Sequence, residues 1–345
     1  MSTEANKVNT GYFFEDYHLG QVFDHATPRT VTHGERALYT ALYPTRFALY
    51  SSDEFARGCG LPESPIEDLA AFHIVFGKTV PDISLNAVAN LGYAECRFLK
   101  PVYAGDTLST RSEVIGLKQN SSGKNGVVWV RSTGTNQRGE VVLSYVRWVM
   151  VKKRNMDAPA PETVIPTLKP ALEAAELPIP EGLDFSGYDF AQAGEKHRLA
   201  DYKIGEVIDH VDGVTIEEAE HMIATRLWQN TAKVHFDASQ RPDGKRLIYG
   251  GHVISMARAL SFNGLANAQM IVAINAGSHT HPCFAGDTLR ARSTVLDKAE
   301  TGGIGALRLR LQAYTGEAGQ PLEKVGGKHP PQLLLDLDYW ALIPR

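Results

Sequence analysis

His235 stands near the end of the loop Leu227-Trp228-Gln229-Asn230-Thr231-Ala232-Lys233-Val234-His235-Phe236-Asp237. An imidazole titrates near neutral pH, so it can take up and release a proton within a single turnover. The Asn230 amide cannot accept a proton, whereas the carboxylate of Asp237, two residues past His235, can. Other groups point less clearly to chemistry. His279 and His281 flank Thr280 with a spacing that suits a metal, but on a strand both point to one face with no third ligand nearby, so no metal is expected. Cys59, Cys96 and Cys283 are odd in number, far apart and free of any Cys-x-x-Cys, and read as packing residues. His73 reads as a hydrogen-bonded core residue.

The elements that position this loop come from an internal repeat. Asp16-Tyr17-His18-Leu19-Gly20-Gln21-Val22-Phe23-Asp24-His25 matches Asp201-Tyr202-Lys203-Ile204-Gly205-Glu206-Val207-Ile208-Asp209-His210 at six of ten positions. Later, Pro101-Val102-Tyr103-Ala104-Gly105-Asp106-Thr107-Leu108 matches Pro282-Cys283-Phe284-Ala285-Gly286-Asp287-Thr288-Leu289. Two matched blocks in the same order at nearly the same offset mean two copies of one unit. The reading is a first unit at 1–155, a linker at 156–196 with Pro159, Pro161, Pro166, Pro170, Pro178 and Pro180 running over the surface, and a second unit at 197–345. Leu172 to Leu177 has room for one helical turn.

Each copy carries the same run of signals. In the first, a short strand at Gln21–Asp24 precedes a helix at His33–Tyr43, a loop, and a helix near Ile66–Lys78. Four strands follow, around Val88–Leu99, Thr107–Leu117, Gly126–Thr135 and Glu140–Val151. The last two alternate around the turn Asn136-Gln137-Arg138-Gly139. In the second copy the apolar face Val253, Met256, Ala257 and Leu260 predicts a helix over His252–Leu265. A helix followed by four or five antiparallel strands is buried most simply when the sheet wraps around it, an α+β architecture. A length of 345 residues favours two domains with an apolar interior each.

Composition excludes several classes. Apolar residues are 43% and charged residues 21%, ordinary for a globular protein, and the formal charge of −4 is spread without a basic cluster. Nucleic acid and membrane partners are therefore not expected. The N-terminal stretch MSTEANKVNTGYFFEDY has no secretory pattern, which predicts a cytoplasmic protein.

The loop Leu42-Tyr43-Pro44-Thr45-Arg46-Phe47-Ala48-Leu49-Tyr50 in the first copy and the loop ending at His235 in the second resemble the Gly-Asp-x-Asn-Pro-(aliphatic)-His loop of the MaoC-like, (R)-specific enoyl-CoA hydratase family. The Pro-x-x-x-Gly-Asp-Thr-Leu segments are also typical of it. The resemblance implies a tandem double hotdog, each half an antiparallel sheet wrapped around a central helix. It implies an acyl-CoA thioester as substrate, with CoA part of the substrate and no separate cofactor, and reversible hydration of an enoyl thioester. It places His235 at the family's histidine and Asn230 at its aspartate, while the first copy has Tyr50 and Thr45 there. His235 then acts as acid/base on water, Asn230 positions that water, and Asp237 is the candidate for the missing carboxylate. Backbone N–H groups at Gly250-Gly251-His252, at the start of the central helix, are the expected donors to the thioester oxygen, Gly251 foremost and His252 beside it. Tyr50 is then either a pocket wall that replaced the histidine or a packing residue.

Within the family, the chain length and the phrases Tyr-Phe-Phe-Glu-Asp and Thr-Arg-Phe-Ala-Leu-Tyr resemble members acting on a branched acyl group with a second, free carboxylate. An arginine fork suits such a carboxylate, and Arg46 and Arg226 flank the two loops. Two other readings compete. Glu67 and Asp68 occupy the place of a thioesterase carboxylate, and loss of both dyads would leave a non-catalytic acyl-CoA-binding protein. A further expectation is a homo-oligomer, because an isolated hotdog edge seeks a partner.

Overall fold

The computed structural model describes residues 7–345; the N-terminal stretch read above begins in residues 1–6, which lie outside them. In the N-terminal half, strand β1 (Val22–Thr30) leads to helix α1 (His33–Leu42) and then to helix α2 (Asp68–Thr79). Strands β2 (Ala87–Phe98), β3 (Thr107–Gln119), β4 (Asn125–Thr135) and β5 (Val141–Lys152) follow. The C-terminal half repeats the order with β6 (Val207–Thr215), α3 (Glu218–Leu227), α4 (Gly250–Leu260), β7 (Ile271–His279), β8 (Thr288–Thr301), β9 (Ile304–Tyr314) and β10 (Leu333–Ile343).

Local chemistry explains several of these boundaries. At the start of α1 the Gly34 amide donates to Thr32 Oγ1 at 3.1 Å and the Thr32 amide donates to the Glu35 carboxylate at 2.8 Å, a reciprocal cap. The β4–β5 hairpin turns at Asn136–Gly139, where Gly139 has φ +76° and its amide donates to the Asn136 carbonyl at 3.0 Å. In the C-terminal half the long helix ends at Leu260, and Gly264, at φ +102°, breaks the short turn that follows.

Among the described residues, ten strands join in one sheet, in the order β1-β3-β4-β5-β2-β7-β10-β9-β8-β6. The halves meet where β2 pairs antiparallel with β7, Tyr93 opposite Gly277 and Cys96 opposite Ile274. Helix α2 is buried along its whole length and α4 from Gly251 to Ala259. Each half is thus an antiparallel sheet folded around its central helix, a double hotdog.

The interior differs from the expectation of one core per half. Leu69, Phe72 and Phe76 of α2 share a single apolar cluster with Val253, Met256 and Ala257 of α4. With the two sheets joined edge to edge, each central helix is covered by the other, and His73 of α2 meets Ser255 Oγ of α4 at 2.7 Å. The segment between the halves also does more than cross the surface. It makes one 3-10 turn at Ala174–Glu176 and lays Leu172, Leu177, Leu183 and Phe185 into a second apolar cluster with Phe47, Leu49 and Tyr50. Among the described residues no helix is long and apolar enough to cross a membrane.

Candidate active site

The loop between α3 and α4 is held by the other half of the molecule. Gly77 of α2 lies so close that a Cβ there would sit 1.8 Å from the Trp228 carbonyl oxygen, so the approach requires glycine. Lys78 donates to the Gln229 side chain and Arg29 to the Leu227 carbonyl. Within the loop the Asn230 amide donates to the Thr225 carbonyl at 2.9 Å, and Asn230 Oδ1 accepts the Ala232 amide at 3.1 Å. Asn230 is buried, and its NH2 group is the part left for a ligand or water.

His235 lies in the single helical turn Lys233–Phe236, and its Nδ1 meets the Leu247 carbonyl oxygen at 2.6 Å. A carbonyl only accepts, so Nδ1 carries the hydrogen and Nε2 keeps its lone pair. Burial pushes the imidazole pKa down to about 4, against the opposing pull of the Leu247 carbonyl, so the ring is neutral at physiological pH. His235 lines a cavity of about 350 Å³ built from both halves. Phe76, Val80, Tyr93, Asn90 and Arg147 come from the N-terminal half; Asn230, Tyr249, Gly250, Val253 and His279 come from the C-terminal half. The exposed Lys152 and Lys233 also line it and mark its opening to solvent. Among the described residues, its lining contains no Asp or Glu.

The first turn of α4 faces this cavity. The Tyr249 amide donates to His221 Nε2 at 2.9 Å, while the next amide, Gly250 N–H, has no acceptor among the described residues. It points from the positive end of a helix that is buried in the core. Gly250 is also pressed by the His279 ring, which a Cβ would approach to 2.4 Å. His279 in turn meets the Tyr93 hydroxyl through Nε2 at 3.1 Å, and burial pushes its pKa down to about 4.

The structure places several of the expected site residues away from the cavity. Gly251 does not line the cavity, and a Cβ there would come within 2.4 and 2.5 Å of the Tyr249 and His73 rings; Gly250 is the glycine at the cavity wall, although the Gly251 amide likewise has no acceptor among the described residues. His252 is buried behind it, with Nδ1 on the Tyr43 hydroxyl at 3.0 Å. Asp237 lies on the surface outside the cavity, and both its carboxylate oxygens accept local donors: Oδ1 the Ser239 backbone amide (3.0 Å) and hydroxyl (2.7 Å), Oδ2 the Gln240 side-chain Nε2 (2.8 Å). These bonds hold its pKa below the usual carboxylate range. Arg226 is an exposed residue on the outer side of α3, and Arg46 lies over the Phe262 ring at 4.4 Å; neither lines the cavity.

The corresponding place in the N-terminal half is filled. Tyr50 is buried and donates to Asp68, whose Oδ2 also accepts the Ile271 amide at 2.8 Å. Glu67 accepts the Thr45 hydroxyl at 2.6 Å. Burial raises both carboxyl pKa values to about 7. Tyr50 is therefore a plug in a sealed polar cluster rather than a wall of the cavity, and the carboxylates that favoured a thioesterase do not reach it.

Arg147, Tyr249 and His279 were missed as site residues. Arg147 had a readable signal, since it continues the inward row Leu143, Tyr145 on β5, an odd place for a charge. Tyr249 had none, and His279 stood out only for its spacing from His281, because only the fold brings their segments together.

A family model described as mesaconyl-CoA hydratase matches residues 2–317. The chain is 69% identical over 342 residues to a mesaconyl-CoA hydratase from Cereibacter sphaeroides, with 98% of this chain and all of the relative covered. It is 57% identical to a β-methylmalyl-CoA dehydratase from Chloroflexus aurantiacus over 98% of this chain and 99% of that one. A crystal structure of a MaoC domain protein dehydratase from Chloroflexus aurantiacus superposes with a TM-score of 0.94 at 56% identity, covering 99% of both chains.

Proposed function

The chain belongs to the mesaconyl-CoA hydratase family and is a hydro-lyase, and on that premise we propose that it interconverts mesaconyl-CoA and β-methylmalyl-CoA with His235 as the single acid/base. The observation that carries this reading is the unprotonated Nε2 of His235 in a cavity lined by no carboxylate among the described residues. In hydration Nε2 takes a proton from water as the water oxygen bonds to the β-carbon. Electron density moves onto the thioester oxygen, and the Gly250 N–H stabilises it as the helix dipole does. The protonated imidazole then delivers its proton to the α-carbon, and the enolate collapses to the saturated thioester. Dehydration retraces these steps, starting again from neutral His235. The Asn230 NH2 group holds the water by donating to its oxygen, and Lys152 and Lys233 at the opening suit the CoA phosphates.

The test follows purified protein with mesaconyl-CoA, crotonyl-CoA and a saturated acyl-CoA, recording loss of enoyl absorbance and release of free thiol together. Absorbance loss without thiol supports the proposal. Thiol release would transfer the chain to the thioesterases, and silence in both channels would leave a binding protein.

A further inference from the structure

Arg147 is a buried charge that the proposed mechanism does not use. Its side chain is fully buried, yet among the described residues it makes no ion pair. Its guanidinium lies 4.4 Å above the Phe76 ring, and Nη2 donates to Thr79 Oγ1 at 2.8 Å and to Ser84 Oγ at 3.3 Å. Nη1 reaches Asn90 Oδ1 only at 3.4 Å. These partners are neutral, so the positive charge stays uncompensated. Two buried donors also lack acceptors, Arg147 Nε and Asn90 Nδ2. Arg147 and Asn90 both line the cavity that holds His235.

A buried, unpaired guanidinium is costly, and orphaned donors beside it add to that cost. The missing partner must bring a negative charge and several acceptor lone pairs, and no Asp or Glu lines the cavity among the described residues. A carboxylate meets both needs, because its two oxygens match the guanidinium fork. We infer that Arg147, assisted by Asn90, receives the free carboxylate of a dicarboxylic acyl-CoA and thereby sets the enzyme's preference for such thioesters over uncharged ones. In a four-carbon butenedioyl thioester that carboxylate is attached to the β-carbon, the atom that accepts water. Anchoring it on Arg147 fixes the β-carbon within the cavity and offsets the charge that would repel an electron-rich nucleophile. Phe76 links the two ends of the site: it carries the guanidinium on one side and lies 5.7 Å from Tyr249, whose ring is 5.7 Å from His235.

The inference rests on the hydration reading, and the experiment separates the two. Wild type, Arg147→Met and Asn90→Leu are compared for kcat/KM with mesaconyl-CoA and crotonyl-CoA. Binding of succinyl-CoA and butyryl-CoA, which need no turnover, is measured on the same proteins. The mesaconyl-to-crotonyl ratio should fall about 100-fold or more in Arg147→Met, the scale for truncating one partner of a buried charge pair, and about tenfold in Asn90→Leu. Wild type should bind succinyl-CoA at least about tenfold tighter than butyryl-CoA, and Arg147→Met should lose that margin. The ligand-free Tm of Arg147→Met should equal or exceed that of wild type, because an unpaired buried charge has been removed. Parallel loss of both substrates, an unchanged ratio, or equal wild-type affinity for the two saturated thioesters overturns the inference. If Arg147→Met does not fold, Arg147 has a structural role and the inference is likewise overturned. A wild type that hydrates neither enoyl thioester but keeps the succinyl-CoA preference would sink the hydration reading alone.

Discussion

Replacing His235 by alanine removes the group that the proposed mechanism uses to move protons in both directions. General acid–base catalysis contributes about 10² to 10⁴-fold, and no lining carboxylate is available as a substitute among the described residues, so kcat for mesaconyl-CoA should fall about 10³-fold or more. The structural cost is smaller. The variant loses the 2.6 Å bond from Nδ1 to the Leu247 carbonyl, about 1 kcal/mol net, which moves the Tm of a chain this size by only a few degrees. Loss of enoyl absorbance at pH 7.5, beside a melting curve, separates the two effects. Turnover within tenfold of wild type in a folded variant would refute the mechanism. The wild-type pH profile supplies a second check. Burial pushes the His235 pKa down to about 4, and the base form is active, so the rate should stay level from pH 8 to pH 6 and decline only as pH approaches 4. A half-loss near pH 6.5, the ordinary value for histidine, would show an imidazole in contact with bulk water.

Gly250→Ala should lower hydration at least about tenfold, because the new methyl starts 2.4 Å from the His279 ring and one of the two must move at the cavity wall; normal kcat/KM would place the oxyanion donor elsewhere. Tyr50→Phe should cost about 1–3 kcal/mol in denaturant unfolding through the lost bond to buried Asp68, with hydration within about threefold of wild type; loss of activity at unchanged stability would reopen the N-terminal half as a working site. Stability should rise with pH between about 4 and 6.5. His73, His210, His221, His235, His252 and His279 are all held by burial at about 3 to 4, so the unfolded chain binds more protons there, and their contribution is lost as pH falls through that window. Glu67 and Asp68, raised to about 7, work in the opposite sense, losing their contribution as pH rises to 7, but they are two groups against six. Calorimetric Tm values at pH 5 and pH 7 test the sign, and Glu67→Gln should steepen the dependence.

How much of the site was legible divides along the range of the interactions involved. The repeat, the order of elements, the β4–β5 turn and the loop bearing Asn230 and His235 were readable because each rests on local spacing, alternation or a glycine with positive φ. The resemblance to enoyl-CoA hydratases followed from the same short stretches. Three long-range facts lay beyond that reading. Asp237 was chosen as a base because it stands beside His235 in sequence, but the turn after Phe236 carries it outward, where the Ser239 and Gln240 donors bind it more cheaply than a buried site would. Arg46 and Arg226 were chosen as neighbours of the loops, whereas the arginine in the cavity comes from β5. The separate interiors gave way to a shared one because β2 pairs with β7 and turns α2 and α4 toward each other. By itself the sequence determined that there are two sheet-and-helix halves and that one of them keeps a histidine. Only the tertiary structure decided what surrounds that histidine, because a cavity closed by residues from both halves depends on contacts between segments more than a hundred positions apart, which leave no local pattern.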